Sequence, residues 1–68
     1  MKWKLRVLMD IYGDSLEDLA NYLGITYQTL SKKMNSRVDF TLSELRLIQK
    51  RYNLTAEQVY DTFFIQSQ

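Results

Sequence analysis

Neither cysteine nor histidine occurs anywhere in these 68 residues, and that double absence narrows what the chain can become more than any other feature. Chains this short bury a small share of their surface and commonly borrow stability from disulfides or a bound metal. Here no disulfide framework, zinc finger or thiol nucleophile can form. Stability has to come from packing, helix capping and association of copies. The hydrophobic share of 46% suffices for a compact core, so the chain is not of the disordered class. Its length leaves room for a single domain over residues 1–68.

There is no proline, which makes the remaining punctuation informative. Gly13 and Gly24 each follow a run with helical spacing, where a left-handed C-terminal cap is expected. Asn53 ends a third run, and Asn is the usual substitute there. Helix starts are marked by Ser15 with Asp18 three residues on, by Thr26, and by two capping-box patterns. These are Thr41-Leu42-Ser43-Glu44, with Phe40 as a staple, and Thr55-Ala56-Glu57-Gln58. The signals predict five helices, at about 3–12, 16–23, 27–35, 42–52 and 56–65.

Apolar spacing assigns an inner face to each helix. The first has Leu5, Leu8, Met9 and Tyr12, and the second Leu16, Leu19, Ala20 and Leu23. The third has Leu30 and Met34, with Ile25 just before it. The fourth has Leu42, Leu45, Ile48 and Tyr52, and the last Val59, Phe63 and Tyr60. No stretch alternates with period two for long enough to predict a strand. Residues 36–40 are the one true loop expected.

Several function classes fall away at this point. No apolar run approaches the ~20 residues needed to cross a bilayer. The first residues lack a signal-peptide pattern, so the cytoplasm is the default location. With no His, no Cys and no Gly-rich phosphate loop, an enzyme is not expected, nor is a cofactor, a metal or a small-molecule substrate. The net charge of +1 hides a segregated pattern. Asp10, Asp14, Glu17 and Asp18 form an acidic run. Residues 26–54 carry Lys32, Lys33, Arg37, Arg46, Lys50 and Arg51 against Asp39 and Glu44 only. A basic centre of this kind suits a polyanion, although a mixed soluble surface would read the same way.

The most informative block is Leu16 to Met34, LEDLANYLGITYQTLSKKM. Two short helices meet at Gly24-Ile25-Thr26, a connection too short for an antiparallel pair, so a steep crossing is expected. Ala20 permits close approach, and Gly24 supplies the positive φ. With Ile25 and Leu30 plugging the interior, Tyr27, Gln28, Ser31 and Lys32 point outward. That set carries an amide, a phenol, a hydroxyl and a cation, and no carboxylate. Such groups can read base edges in a major groove, and they also suit an ordinary polar surface.

Residues 14–61 resemble the Cro/repressor helix-turn-helix family of phage repressors and bacterial regulators. The likeness rests on Leu19-Ala20, Gly24-Ile25, Leu30-Ser31, Phe40-Thr41-Leu42 and the Leu45/Ile48/Tyr52/Leu54/Val59 register. It implies an all-α, compact five-helix bundle of the lambda-repressor-like type, with a helix-turn-helix core at about 16–35. It also implies a function, sequence-specific binding of double-stranded DNA in transcription regulation by a phage or prophage protein. In that pattern residues 27–35 are the recognition helix, with Tyr27, Gln28, Ser31 and Lys32 facing bases. Thr26, Lys33, Asn35, Ser36, Arg37 and Thr41 stand where phosphates are held. The chain departs from the pattern at Ser15-Leu16-Glu17-Asp18, where members often place Gln, and at Met34-Asn35-Ser36, where Glu and Gly are common.

One recognition helix covers few base pairs, so a palindromic operator and a homodimer are expected. Tyr60, Phe64 and Ile65 exceed what one helical face can bury, and with Leu47 or Trp3 they are candidates for the dimer contact. The other outcome is a tail folded back on its own domain. The lack of a second domain leans towards a complete Cro-like protein. The rival function is a protein-interaction module on the same fold, favoured by the acidic run at Asp14–Asp18 and the aromatic tail.

Overall fold

A computed structural model describes residues 3–64, with side chains from Lys4 onward. It contains five helices: α1 (Trp3–Tyr12), α2 (Leu16–Leu23), α3 (Tyr27–Met34), α4 (Leu42–Arg51) and α5 (Ala56–Phe63). No strand occurs among the described residues. The helices gather into a body of 27 × 24 × 22 Å.

Each of the last four helices starts at a hydroxyl. Ser15, Thr26, Thr41 and Thr55 adopt extended backbone and accept a bond from the amide three residues on. At Ser15/Asp18, Thr41/Glu44 and Thr55/Gln58 the third residue reaches back to the cap amide, completing the box. Each cap contributes about 1 kcal/mol, a useful fraction of a small domain's stability.

The first four helices also end alike. The chain turns into left-handed φ at Gly13 (+74°), Gly24 (+74°), Ser36 (+63°) and Asn53 (+53°). The next amide then reaches back into the last turn: Asp14 to Met9 at 2.8 Å, Ile25 to Ala20 at 3.0 Å, Arg37 to Lys32 at 2.9 Å and Leu54 to Gln49 at 3.0 Å. This closure satisfies carbonyls that a bare helix end would leave orphaned. Gly13, Gly24 and Asn53 follow the sequence expectation, whereas the left-handed turn at Ser36 falls within the expected loop, with no Gly or Asn at that position to mark it.

The core joins all five helices through Leu5, Met9, Leu19, Ala20, Leu23, Leu30, Met34, Ile48, Tyr52, Leu54 and Phe63. Helix α2 packs on α3 and α4, and α1 packs on α5. Three inward assignments are corrected. Leu42, the first residue of α4, is 64% exposed, because Glu44, Leu45 and Ile48 form the inward stripe and Phe40 packs on the core instead. Tyr12 stays half-exposed at the edge, its ring 5.0 Å from that of Tyr52 and its hydroxyl donating to the Tyr52 carbonyl at 3.1 Å. Tyr60, on the last helix, also faces outward.

Candidate nucleic-acid interface

Helix α3 divides cleanly into two sides. Leu30, Lys33 and Met34 are buried, while Tyr27, Gln28 and Lys32 are exposed and Ser31 is half-exposed. The outward residues sit at positions i, i+1, i+4 and i+5, a single stripe on a helix. Thr26 holds the start of this helix, accepting from the Thr29 amide at 3.1 Å and sharing a hydroxyl contact with Thr29 at 2.9 Å. The four side chains expected to face bases therefore share one face, and no carboxylate lies on α3.

One acid does approach it. Tyr27 lines a shallow hollow together with Arg6, Ser15, Leu16 and Glu17. The rest of the acidic run is occupied elsewhere. Arg51 grips Asp14 with two bonds, at 2.8 and 2.7 Å, and the Tyr52 hydroxyl donates to the same carboxylate at 2.8 Å. The Arg51 bond holds the Asp14 carboxyl below its ordinary range despite partial burial. The Arg51 guanidinium also lies 4.6 Å from the Tyr22 ring centroid. Asp18 is used in its capping box.

Lys33 is not where a phosphate contact would need it. Its side chain is only 7% exposed, and its Nζ lies 2.6 Å from Glu44 Oε1 and 3.3 Å from the Asp39 carbonyl. The spacing already carried the reason, since Lys33 lies three residues after Leu30 and beside Met34, on the inner stripe. Burial pushes the Glu44 carboxyl up, but the Lys33 ammonium and the Thr41 amide together outweigh it and hold it below its usual range.

The remaining phosphate candidates divide. The Thr41 amide is taken by Glu44 at 2.8 Å, so it is not a free donor. The Asn35 and Ser36 amides close the end of α3 on Ser31 and Lys33, and the Arg37 amide does so on Lys32. What these three residues offer to solvent is their side chains, all exposed.

Ion pairs redraw the charge map. Lys4 pairs with Asp61, Arg6 with Asp10, Lys33 with Glu44 and Arg51 with Asp14. Lys32, Arg37, Arg46 and Lys50 have no ion-pair partner among the described residues, and all four fall between α3 and the end of α4. The paired arginine and lysine of that segment could not be told from the unpaired cations by composition.

At the far end, Tyr60 and Phe64 are each 58% exposed and stack with ring centroids 5.6 Å apart. Leu47 sits at the margin of exposure. Ile65, the third residue expected at a dimer contact, lies outside the described residues, as does the Trp3 side chain. Among the described residues no cluster of His, Cys, Asp or Glu could hold a metal, and no helix is long and apolar enough to cross a membrane. Comparison with family models, curated proteins and solved structures finds no match to this chain.

Proposed function

We propose that this chain is a sequence-specific binder of double-stranded DNA, a transcriptional regulator of the Cro/repressor kind. In this reading α2 and α3 act as a helix-turn-helix within a lambda-repressor-like bundle, and α3 enters the major groove. The observation that carries it is the outward stripe of α3. Tyr27, Gln28, Ser31 and Lys32 stand together on a rigid, capped helix, with the opposite face fixed in the core. Gln28 is suited to adenine N6/N7, Lys32 to guanine O6/N7, and the Tyr27 ring to a thymine methyl. Arg37 and the side chains of Thr26, Asn35 and Ser36 supply phosphate contacts that fix register without reading sequence. The unpaired cations from Lys32 to Lys50 supply the salt-dependent attraction.

Two chains on a palindromic operator would set two such helices about 34 Å apart along the duplex. Selection from random duplex DNA tests the reading directly. The expected result is an enriched, symmetric motif with half-sites about one helical turn apart. No enrichment over the starting pool would overturn it.

A protein-interaction module is the second reading. It is favoured by the stacked, exposed Tyr60 and Phe64, which offer an aromatic surface to a protein partner as readily as to a second copy of the chain. Binding to a protein surface with no salt-dependent affinity for duplex DNA would decide for it.

A further inference from the structure

The chain grips one of its own arginines between a carboxylate and a tyrosine ring, and a second carboxylate and ring of the same kind stand together on α5. We propose that the outer face of α5, built from Glu57, Tyr60, Asp61 and Phe64, is a docking surface for an arginine-bearing segment of a partner protein. This surface gives the protein-interaction reading its partner chemistry and rests on that reading; DNA recognition by α3 does not enter it.

The internal arrangement shows what such a pair of groups does. Arg51 is held by the Asp14 carboxylate through two bonds, at 2.8 and 2.7 Å, while its guanidinium lies 4.6 Å from the Tyr22 ring centroid. A planar guanidinium meets both partners at once, bonding the carboxylate with its fork and lying over the aromatic face. On α5, Glu57, Gln58, Tyr60 and Asp61 line one hollow. Among the described residues Glu57 has no ion-pair partner, and no cation stands over the Tyr60 ring. Asp61 already holds a cation on this face, the Lys4 ammonium. The hollow thus repeats the carboxylate and ring of the Arg51 arrangement without an arginine from the described residues.

Residues 57, 60, 61 and 64 follow the i, i+3, i+4, i+7 spacing of a single helical face. That face is fixed outward because Phe63 is buried and Val59 packs on the core. Tyr60 and Phe64 are each 58% exposed and stack with centroids 5.6 Å apart, so an aromatic strip continues from the carboxylate. A segment with an arginine at the Glu57 end and an apolar side chain at the Phe64 end satisfies both parts. Charge decides against other occupants. An isologous contact between two copies through this face would bring together two surfaces that each carry an uncompensated Glu57. Duplex DNA or an anionic bilayer would meet the same carboxylate.

Peptide titration of the isotope-labelled full chain, followed by amide chemical shifts at low salt, tests this. The probe is a blocked alanine-based peptide with an arginine and a leucine four positions apart. Its twin carries citrulline, which keeps the shape and removes the charge. The expected result is saturable binding with a Kd on the order of 1 mM and shifts centred on α5. Glu57→Gln and Tyr60→Ala should each weaken it about threefold, and together about tenfold, as should the citrulline twin. Both positions are exposed, and circular dichroism checks that the helices persist. No saturable shift at about 10 mM peptide, shifts centred on Glu17 and Asp18, or equal binding by the citrulline twin or by Glu57→Gln would each overturn the assignment. Shifts on α5 that grow with protein concentration alone, and vanish in Tyr60→Ala, would give the face to a second copy and overturn it as well. A partner protein that binds another face would preserve the protein-interaction reading while this surface falls. Failure of operator selection leaves the peptide result standing.

Discussion

Lys33 Nζ stands 2.6 Å from Glu44 Oε1, tying the last turn of α3 to the first turn of α4 inside the protein. The same carboxylate oxygen accepts the Thr41 amide at 2.8 Å. The ammonium also reaches the Asp39 carbonyl and lies 5.8 Å from the Phe40 ring centroid. One charge pair therefore fixes the segment between the candidate reading helix and the helix that follows it. Removal of either partner would strand the other where water cannot replace it.

Lys33→Met tests that consequence. It leaves Glu44 buried without its counter-charge, and the expected loss is about 3 kcal/mol of folding stability. Adding Glu44→Gln removes the stranded charge while keeping an acceptor for the Thr41 amide. The double variant should therefore be more stable than Lys33→Met alone. Urea denaturation of the wild type and the two variants measures both steps. Equal stability of Lys33→Met and wild type would mean the pair contributes nothing.

Acid should weaken the fold through two carboxylates. The Arg51 bond lowers the Asp14 pKa, and the Lys33 and Thr41 contacts lower that of Glu44. Each group contributes stability that is fully present above the ordinary carboxylate pKa of about 4. That stability is lost as pH falls from there through the depressed folded-state value. Thermal melts between about pH 6 and pH 2 should show a falling midpoint. Asp14→Asn should be less stable at neutral pH and show a shallower fall. An unchanged slope would remove Asp14 from this role.

Alkaline pH acts through Tyr52, in the opposite sense. Burial first, and then the bond to the Asp14 carboxylate, push its phenol well above the ordinary tyrosine value. A raised folded-state pKa contributes stability that is complete below the unfolded value of about 10 and is lost as pH rises beyond it. A phenolate absorbance titration should find one of the five tyrosines silent until the protein unfolds. Tyr52→Phe should abolish the silent signal and cost about 1 kcal/mol at neutral pH through the lost hydrogen bond. A full complement of five normal titrations in the folded protein would contradict the burial.

Most of the scaffold was legible because it is written locally. Ser15, Thr41 and Thr55 cap helices through partners three residues away, and Gly13, Gly24 and Asn53 end them through their own φ. The outward stripe of α3 follows from helical period once Leu30 and Met34 face inward. What stayed hidden depends on distant partners. Asp14 and Arg51 are 37 residues apart, so nothing near either one marks it as spent. Lys33 looks like a solvent cation until Glu44 is folded against it. Leu42 failed for a related reason, since its apolar character says nothing about the turn of α4 on which it falls.

Ser36 offers a stability gain that its surroundings do not oppose. It holds φ at +63° without being glycine, a conformation that costs an ordinary residue about 1 kcal/mol or more. Ser36→Gly should raise stability by roughly 0.5–1 kcal/mol after the added chain entropy of glycine is discounted. Gly24 gives the converse test. A Cβ there would meet nothing within 4 Å, so any cost comes from its φ of +74° alone. Gly24→Val should therefore destabilise the domain, and more than Gly24→Ala, because β-branching adds strain at positive φ. Calorimetry of the three variants reads these signs. A loss in Ser36→Gly, or no loss in Gly24→Val, would show that the helix ends are drawn wrongly.

The DNA reading makes its sharpest prediction by separating two adjacent lysines. Lys32 is exposed on the outward stripe, whereas Lys33 is buried against Glu44. Lys32→Ala should weaken binding most on the selected operator, through the lost guanine contact, and, as a removed cation near the phosphates, should also flatten the dependence of log K on log salt by about one unit of slope. Lys33→Ala should lower the folded fraction but leave the slope of the folded protein unchanged, because its charge is neutralised internally. Gln28→Ala should differ from both, costing roughly 1–3 kcal/mol on the selected operator and far less on unrelated duplexes. Fluorescence anisotropy over a salt series, with each protein at a temperature where it is fully folded, distinguishes the three behaviours. Equal losses for Gln28→Ala on every sequence would mean that α3 reads no base. A slope change from Lys33→Ala but not Lys32→Ala would mean that the outward and inward sides of α3 had been exchanged.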